Sequence, residues 1–190
     1  VAERRIDPER RERILAVTRE LIAANGVDGV THRKIAAAAD VPLGAMTYYF
    51  SGRDELLFEV FTRFADEVAA RFAARMSAAT NYLEARDAVV SIITHDVFPD
   101  RERADARAER ARSNDLVITH ELYALAARRP EYREITHAWM VKSRAALEQH
   151  FDPDTARMLD ALIEGLTIHR ALDTEDVADL AVEAVLRITN

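Results

Sequence analysis

Between Thr31 and Phe50 the chain reads THRKIAAAADVPLGAMTYYF, and its polar residues are of the kinds that contact nucleic acid. Arg33 carries a planar guanidinium able to bridge O6 and N7 of guanine, which makes it the predicted base reader. Thr31, Lys34, Thr47, Tyr48, Tyr49 and Arg53 supply hydroxyls and cations for phosphate or sugar oxygens. Leu43, Gly44 and Ala45 are small or apolar and can lie against base edges and thymine methyls. A helix meant only to be solvated would carry Lys or Glu on its outer face, whereas Leu43, Gly44, Ala45, Thr47, Tyr48 and Tyr49 have almost no charge. A core role stays open for one of the two tyrosines only, since adjacent helical positions cannot both face inward.

A second set lies downstream. His95, His120, Tyr123, His137, Trp139 and Met140 are the polar or polarisable residues of otherwise aliphatic helical stretches, and with Phe64 they are the candidates for lining a small-molecule pocket. Each of them is also a possible core or surface residue. The adjacent pairs His95-Asp96 and His120-Glu121 point apart on a helix and make no metal site. Cysteine is absent, and no H-E-x-x-H, P-loop or dinucleotide glycine pattern occurs, so neither metal nor cofactor is expected beyond a small-molecule effector.

The nucleic-acid residues need two short helices and a tight turn to position them. Thr31 is a helix N-cap, and the first helix runs on through Ile35 to Ala39; its alanines leave no bulk, so a second helix can cross closely. Asp40, Val41 and Pro42 interrupt the pattern, and a second helix follows from Leu43 to Phe50. Ile35 with Ala39, and Met46 with Phe50, stand four apart and form the inward anchors. Upstream, Asp7-Pro8 opens a helix that Asn25-Gly26 closes, with Ile14, Val17 and Leu21 as its apolar stripe. Downstream, Arg53 to Ala78 keeps helical spacing through Leu57, Phe61, Phe64, Val68, Phe72 and Met76. At 1.5 Å per residue it spans roughly 40 Å, long enough to carry a movement from one end of the molecule to the other.

Thr31, Arg33, Ile35, Ala36, Ala39, Val41, Gly44, Tyr48, Phe50, Arg53, Leu56 and Leu57 together resemble the signature of the TetR family of one-component bacterial transcription regulators. The resemblance is specific over about the first sixty residues and continues in the all-helical layout and the stretch ALIEGL. Asp40 replaces the family's usual Gly, Pro42 its helix-capping Ser and Thr47 its phosphate-contacting aromatic residue; Arg53 stands where the family has a phosphate-contacting Lys, though a free surface residue is equally open there. The resemblance implies an all-α protein. Residues 1–52 would form a three-helix helix-turn-helix DNA-binding domain, joined by a long helix to a ligand-binding and dimerisation domain at 53–190.

Further helices are predicted at Leu83 to Val97, Asn114 to Arg129, Glu131 to Phe151, Asp154 to Leu172 and Glu175 to Ile188, with Pro99, Pro130 and Pro153 as breaks. Asp100 to Arg112 is highly charged without an apolar stripe and reads as a solvated helix or a loop, without assigned chemistry. The last two helices carry more apolar surface than one face needs. Leu159, Leu162, Ile163, Gly165, Leu166, His169, Leu180 and Ala184 are the predicted dimer contacts, and the resemblance implies a four-helix bundle across a twofold axis. The alternative is a monomer whose last helices are apolar because they are buried.

A net charge of -7 argues against indiscriminate nucleic-acid binding, yet the acidity lies mostly downstream. Through Phe50 eight basic residues stand against seven acidic ones, and Arg4, Arg5, Arg10, Arg11, Arg33, Lys34 and Arg53 gather by sequence around the proposed reader. No stretch approaches the length of an apolar membrane span, the opening VAERRIDPER has no signal core, and the expected location is the cytoplasm. The leading expectation is a homodimeric repressor that leaves a pseudo-palindromic operator of double-stranded DNA when a small molecule binds. The alternatives are a helical interaction protein whose helix-turn-helix no longer binds DNA, an activating or co-repressed regulator, and, least supported by spacing, a histidine-acid enzyme.

Overall fold

The computed structural model describes residues 8–98, 106–172 and 177–190, and among these residues every regular element is helical. The expected Asp7 cap, Arg4, Arg5, Pro99, the segment 100–105 and the helix start at Glu175 lie outside them. Helix α1 is Pro8–Asn25, α2 His32–Ala38, α3 Leu43–Tyr49 and α4 Arg53–Ala78. The remainder comprises α5 (Tyr82–Ile92), a π turn (Ile93–Val97), α6 (Ala106–Ala126), α7 (Pro130–Leu147), α8 (Pro153–Leu172) and α9 (Ala178–Ile188).

Local chemistry accounts for most boundaries. α1 ends at Gly26, whose φ of 66° is the left-handed conformation that favours glycine after a helix. Arg129 precedes Pro130 and is extended, so α6 stops at Ala126 rather than at the expected Arg129. Asp152 accepts from the backbone N–H groups of Asp154 and Thr155 at 3.0 and 3.1 Å and caps α8, with Pro153 as first helical residue.

Three expectations need correction. The single helix predicted through Val97 changes at Ile93 into a π turn, closed by the Phe98 N–H on the Ile93 carbonyl at 2.8 Å. The helix expected to start at Asn114 is already formed at Ala106, and residues 106–112 are its first turns, the helical one of the two readings given for the charged segment; Glu109 and Arg112 pair one turn apart, as alanine-rich charged helices do. α7 ends at Leu147, four residues early, and Phe151 folds back with its N–H on the Leu147 carbonyl and its ring buried.

Two apolar cores are strung along α4. The first joins α1, α2, α3, α6 and α7 through Ile14, Ile22, Ile35, Met46, Phe61, Phe64, Ile118, Tyr132 and Trp139. The second gathers Met76, Val89, Ile93, Leu147, Phe151, Leu159 and Val185 at the far end. α1 is held on α4 by Arg11, whose guanidinium lies 5.0 Å from the Phe50 ring centroid and donates to Glu59 at 2.6 Å.

Candidate nucleic-acid interface and ligand cavity

The turn between α2 and α3 is made by hydrogen bonds that a sequence motif does not display. Thr31 accepts from the Lys34 N–H at 3.3 Å and starts α2. At its end the Val41 N–H reaches back to the Ala36 carbonyl at 3.0 Å, and the Asp40 N–H to the Ala37 carbonyl at 3.3 Å. This is a Schellman motif with Asp40 at the left-handed position, φ 52°, and Val41 buried behind it. Aspartate tolerates that conformation, which is how the turn forms without the family's glycine. Pro42 precedes α3 without a side-chain cap, and Phe50 is the extended residue after the helix rather than its last turn.

α3 buries Met46, half-buries Ala45 and Tyr49 against the core, and turns Leu43, Gly44, Thr47 and Tyr48 outward. Those four recur at helical spacing and share one face. Leu43 is 54% and Tyr48 45% exposed, so the two tyrosines divide as adjacent helical positions must. A Cβ on Gly44 would meet nothing within 4 Å, so no internal packing demands glycine there. Thr47 donates to the Gly44 carbonyl at 3.1 Å. Arg33 is exposed on α2 and forms no ion pair among the described residues.

Several of the cations gathered by sequence are engaged within the chain. Arg11 is paired with Glu59, and the Lys34 ammonium donates to the Gly29 carbonyl at 2.7 Å. Arg53 is not a free surface residue: its Nε donates to the Val30 carbonyl at 2.9 Å and a terminal nitrogen donates to the Val27 carbonyl. It braces the loop that leads into α2. From the other side Glu121 of α6 accepts the Val27 N–H at 3.1 Å, and its second carboxylate oxygen lies 2.8 Å from where a Cβ on Gly26 would stand.

A cleft of about 1610 Å³ opens between α4, α6, α7 and α8. Of the residues proposed for it by sequence, His120, Tyr123 and Trp139 line it. Phe64 does not: it is core, with its ring edge-on to Trp139 and the Arg19 guanidinium 5.1 Å from its centroid. His95 is exposed on the π turn with Nδ1 3.0 Å from the Ser91 carbonyl oxygen. His137 and Met140 flank Trp139 on α7, and because Trp139 faces inward the helical rotation carries both away from the cleft.

The cleft also holds groups that the sequence reading passed over. Glu164 of α8 accepts a hydrogen bond from the Tyr123 hydroxyl, and Asp160, one turn earlier, pairs with Arg144 of α7 at 3.2 Å. Burial pushes the Glu164 carboxyl above the usual carboxylate range, outweighing the Tyr123 hydrogen bond that draws it down, with Asp160 adding to the rise. Burial raises Asp160 too, against the pull of Arg144, and lifts the Tyr123 phenol with help from the Glu164 charge. The available signal was two acids four apart inside the apolar run from Leu159 to Leu166.

The predicted dimer residues sort by helix face. Leu159 and Leu166 are buried in the chain's own core and are not available to a partner. Leu162, Ile163, Gly165 and Ala184 are half-buried, and Ile163 faces the cleft. Leu180 is 64% exposed and His169 exposed; Leu172 at 79%, with Met158 and Ile168, extends the outward apolar surface of α8. No group of three or more potential metal ligands occurs among the described residues, and no described helix is long and apolar enough to cross a membrane.

Residues 14–60 match the family described as bacterial regulatory proteins, tetR family, and residues 86–189 match the tetracyclin repressor-like C-terminal domain. The chain is 52% identical to the transcriptional regulator SCO7518 of Streptomyces coelicolor A3(2), covering 96% of this chain and 99% of that one with a TM-score of 0.81. It is 30% identical to the multidrug binding protein EbrR in its imidazole complex, over 96% of both chains with a TM-score of 0.71; EbrR has also been solved with proflavin, malachite green and ethidium. The HTH-type transcriptional regulator PksA of Bacillus subtilis is 28% identical over 188 residues, 90% of this chain and 83% of PksA. The chain belongs to the TetR family and is a DNA-binding transcriptional regulator.

Proposed function

We propose that this chain is a repressor whose operator affinity falls when an aromatic small molecule enters the cleft between α4, α6, α7 and α8. Members of the family bind operator DNA as homodimers and respond to small molecules, and they are not enzymes. In our reading residues 1–52 read DNA and residues 53–190 hold the effector and the dimer contact. Arg33 reads a guanine, Leu43, Gly44, Thr47 and Tyr48 lie against the groove, and Thr31, Lys34 and Tyr49 contact the backbone. Arg53 acts chiefly as a brace beneath the reader. Leu162, Leu172, Leu180, Ala184 and His169, with Met158 and Ile168, supply the dimer contact.

The observation that carries the effector reading is the double duty of α6. His120 and Tyr123 wall the cleft, while Glu121 between them holds the Val27 N–H ahead of the reader, and Asp115, nearly two turns further back, takes Arg19 of α1 at 2.8 Å. A ligand that shifts α6 therefore has a direct mechanical hold on α1 and on the loop before α2. Release follows if the ligand favours the α6 position in which the two readers of a dimer no longer match their half-sites. The aromatic wall of Tyr123 and Trp139, rings 6.1 Å apart, and the aromatic ligands of EbrR support the ligand class.

The test has two stages. Sites are first selected from a random DNA pool with the purified protein; a palindrome with half-sites about one or more helical turns apart is expected. Malachite green is then titrated into the protein–operator complex beside a Glu121→Ala variant. Release from the natural protein, with dye binding retained but release blunted in the variant, is the expected pattern. Dye that binds without altering DNA affinity would refute the effector reading, and a pool without enrichment would remove the operator.

A further inference from the structure

The outward face of α3 is unusual for a reader in what it lacks. Leu43, Gly44, Thr47 and Tyr48 carry no side-chain amide, guanidinium, ammonium or carboxylate. Guanine and adenine are read in the major groove by bidentate Arg, Lys, Asn or Gln, and the cytosine amino group by Asp or Glu, so this face holds none of the side chains for those pairings. Its threonine is also partly committed: the Thr47 hydroxyl donates to the Gly44 carbonyl at 3.1 Å, which leaves an acceptor oxygen and a methyl for a groove. Leu43 is 54% exposed and presents an isobutyl group. The Tyr48 ring stands edge-on to Tyr49 at 5.3 Å, and Tyr49 packs on the core, so the ring is braced. Gly44 adds no bulk, with nothing within 4 Å of where its Cβ would stand, and the helix backbone can come close enough for short side chains to reach base edges.

We propose that α3 reads C5-methyl groups: the bases that it faces are thymine or 5-methylcytosine, recognised by contact of their methyl with Leu43 and with the Thr47 methyl. Uracil and unmodified cytosine are disfavoured at the same positions. This inference rests on the reading above that α3 lies in the major groove, and it names the base chemistry that the helix takes. Thymine and 5-methylcytosine set a methyl at the same place in the groove, although one has an acceptor beside it and the other an amino group. A face whose information is apolar treats the two alike. Guanine falls to Arg33, which stands on α2. Leu43 and Thr47 are four residues apart on one face, so each half-site holds two methyl positions. Where a cytosine stands at one of them, its C5 methylation raises operator affinity.

The test uses the full chain and the palindrome recovered by site selection. At each half-site thymine in turn, fluorescence anisotropy compares duplexes carrying thymine, uracil, 5-methylcytosine or cytosine, the last two opposite guanine. Affinity is expected to sort by the methyl, thymine with 5-methylcytosine and uracil with cytosine. Each lost methyl should weaken binding about 4-fold at one half-site and about 15-fold at both, as burial of a methyl group implies. Leu43→Ala should remove the thymine-to-uracil difference at one position and Thr47→Ser at the other; the serine keeps the hydroxyl that bonds Gly44 and lacks only the methyl. Both residues are exposed, and circular dichroism checks the fold of the variants. The comparison of duplexes on the natural chain needs no variant at all.

Affinity that sorts by the hydrogen-bonding edge, with thymine equal to uracil and 5-methylcytosine equal to cytosine, would overturn the proposal while leaving α3 in the groove. A selected half-site without thymine would do the same. A methyl effect that persists undiminished in both variants would also overturn it, since the effect would then come from the shape of the duplex. If both variants bind every duplex as tightly as the natural chain, α3 does not lie in the groove, and the reading beneath the proposal fails with it.

Discussion

Gly44→Ala separates what α3 needs in order to fold from what it needs in order to read. Glycine in a helix is worth about 0.5–1 kcal/mol less than alanine because it orders more backbone freedom. The added methyl would meet nothing within 4 Å, so no clash offsets that gain. For a chain of this length the change should raise Tm by roughly 1–4 °C. The same methyl would stand on the face that carries Leu43, Thr47 and Tyr48, which in the proposed reading approaches DNA too closely to leave room for it. Overpacking a fitted contact costs about 1–3 kcal/mol, or roughly 5- to 150-fold in affinity. Thermal unfolding followed by circular dichroism gives the first quantity, and fluorescence anisotropy on the selected operator gives the second. A variant that is more stable and binds the operator as well as the natural chain would show that this face of α3 does not lie against DNA.

Three further outcomes are expected. Arg33→Ala should relax sequence preference at one base position at a cost of about 1–3 kcal/mol, read by repeating the site selection; an unchanged preferred site excludes it as base reader. Asp40→Gly should stabilise the chain by up to about 1 kcal/mol by relieving the left-handed conformation, whereas Asp40→Val should destabilise it, both measured by urea unfolding. Because burial holds the Glu164 carboxyl above its unfolded value, its contribution to stability is fully present below the ordinary carboxylate range and is lost as pH rises through its raised value. Glu164→Gln should therefore flatten that limb and be the more stable protein near neutrality; a pH-stability curve that superimposes on the natural one would refute the buried-charge reading.

The helical periods were legible because they are written locally. The spacing from Leu57 to Met76 marks α4 with its observed ends, and Thr31 and Gly26 mark a cap and a stop through chemistry confined to neighbouring residues. The π turn at Ile93 was not legible, since an α pattern continues through it and only the surrounding packing selects the wider turn. Asp40 was visible as a departure from a family signature, but its φ of 52° and the bonds of Val41 and Asp40 to α2 belong to the folded turn.

For the site, sequence alone determined the residue types of α3, the inward turn of Met46, and a short set of aromatic candidates for a pocket, whereas Ala45, expected outside with Leu43 and Gly44, is half-buried against the core. Tertiary structure decided which of those candidates meet: His120, Tyr123 and Trp139 converge, while Phe64, His95, His137 and Met140 do not. It also decided that Arg53 serves carbonyl groups, that Leu159 faces its own core, and that Glu164 stands half-buried opposite a phenol instead of an arginine. The reason is physical. Periodicity and capping act over a few residues and are carried by the order of the chain, whereas countercharge, burial and the walls of a cleft depend on groups brought together from helices far apart in sequence.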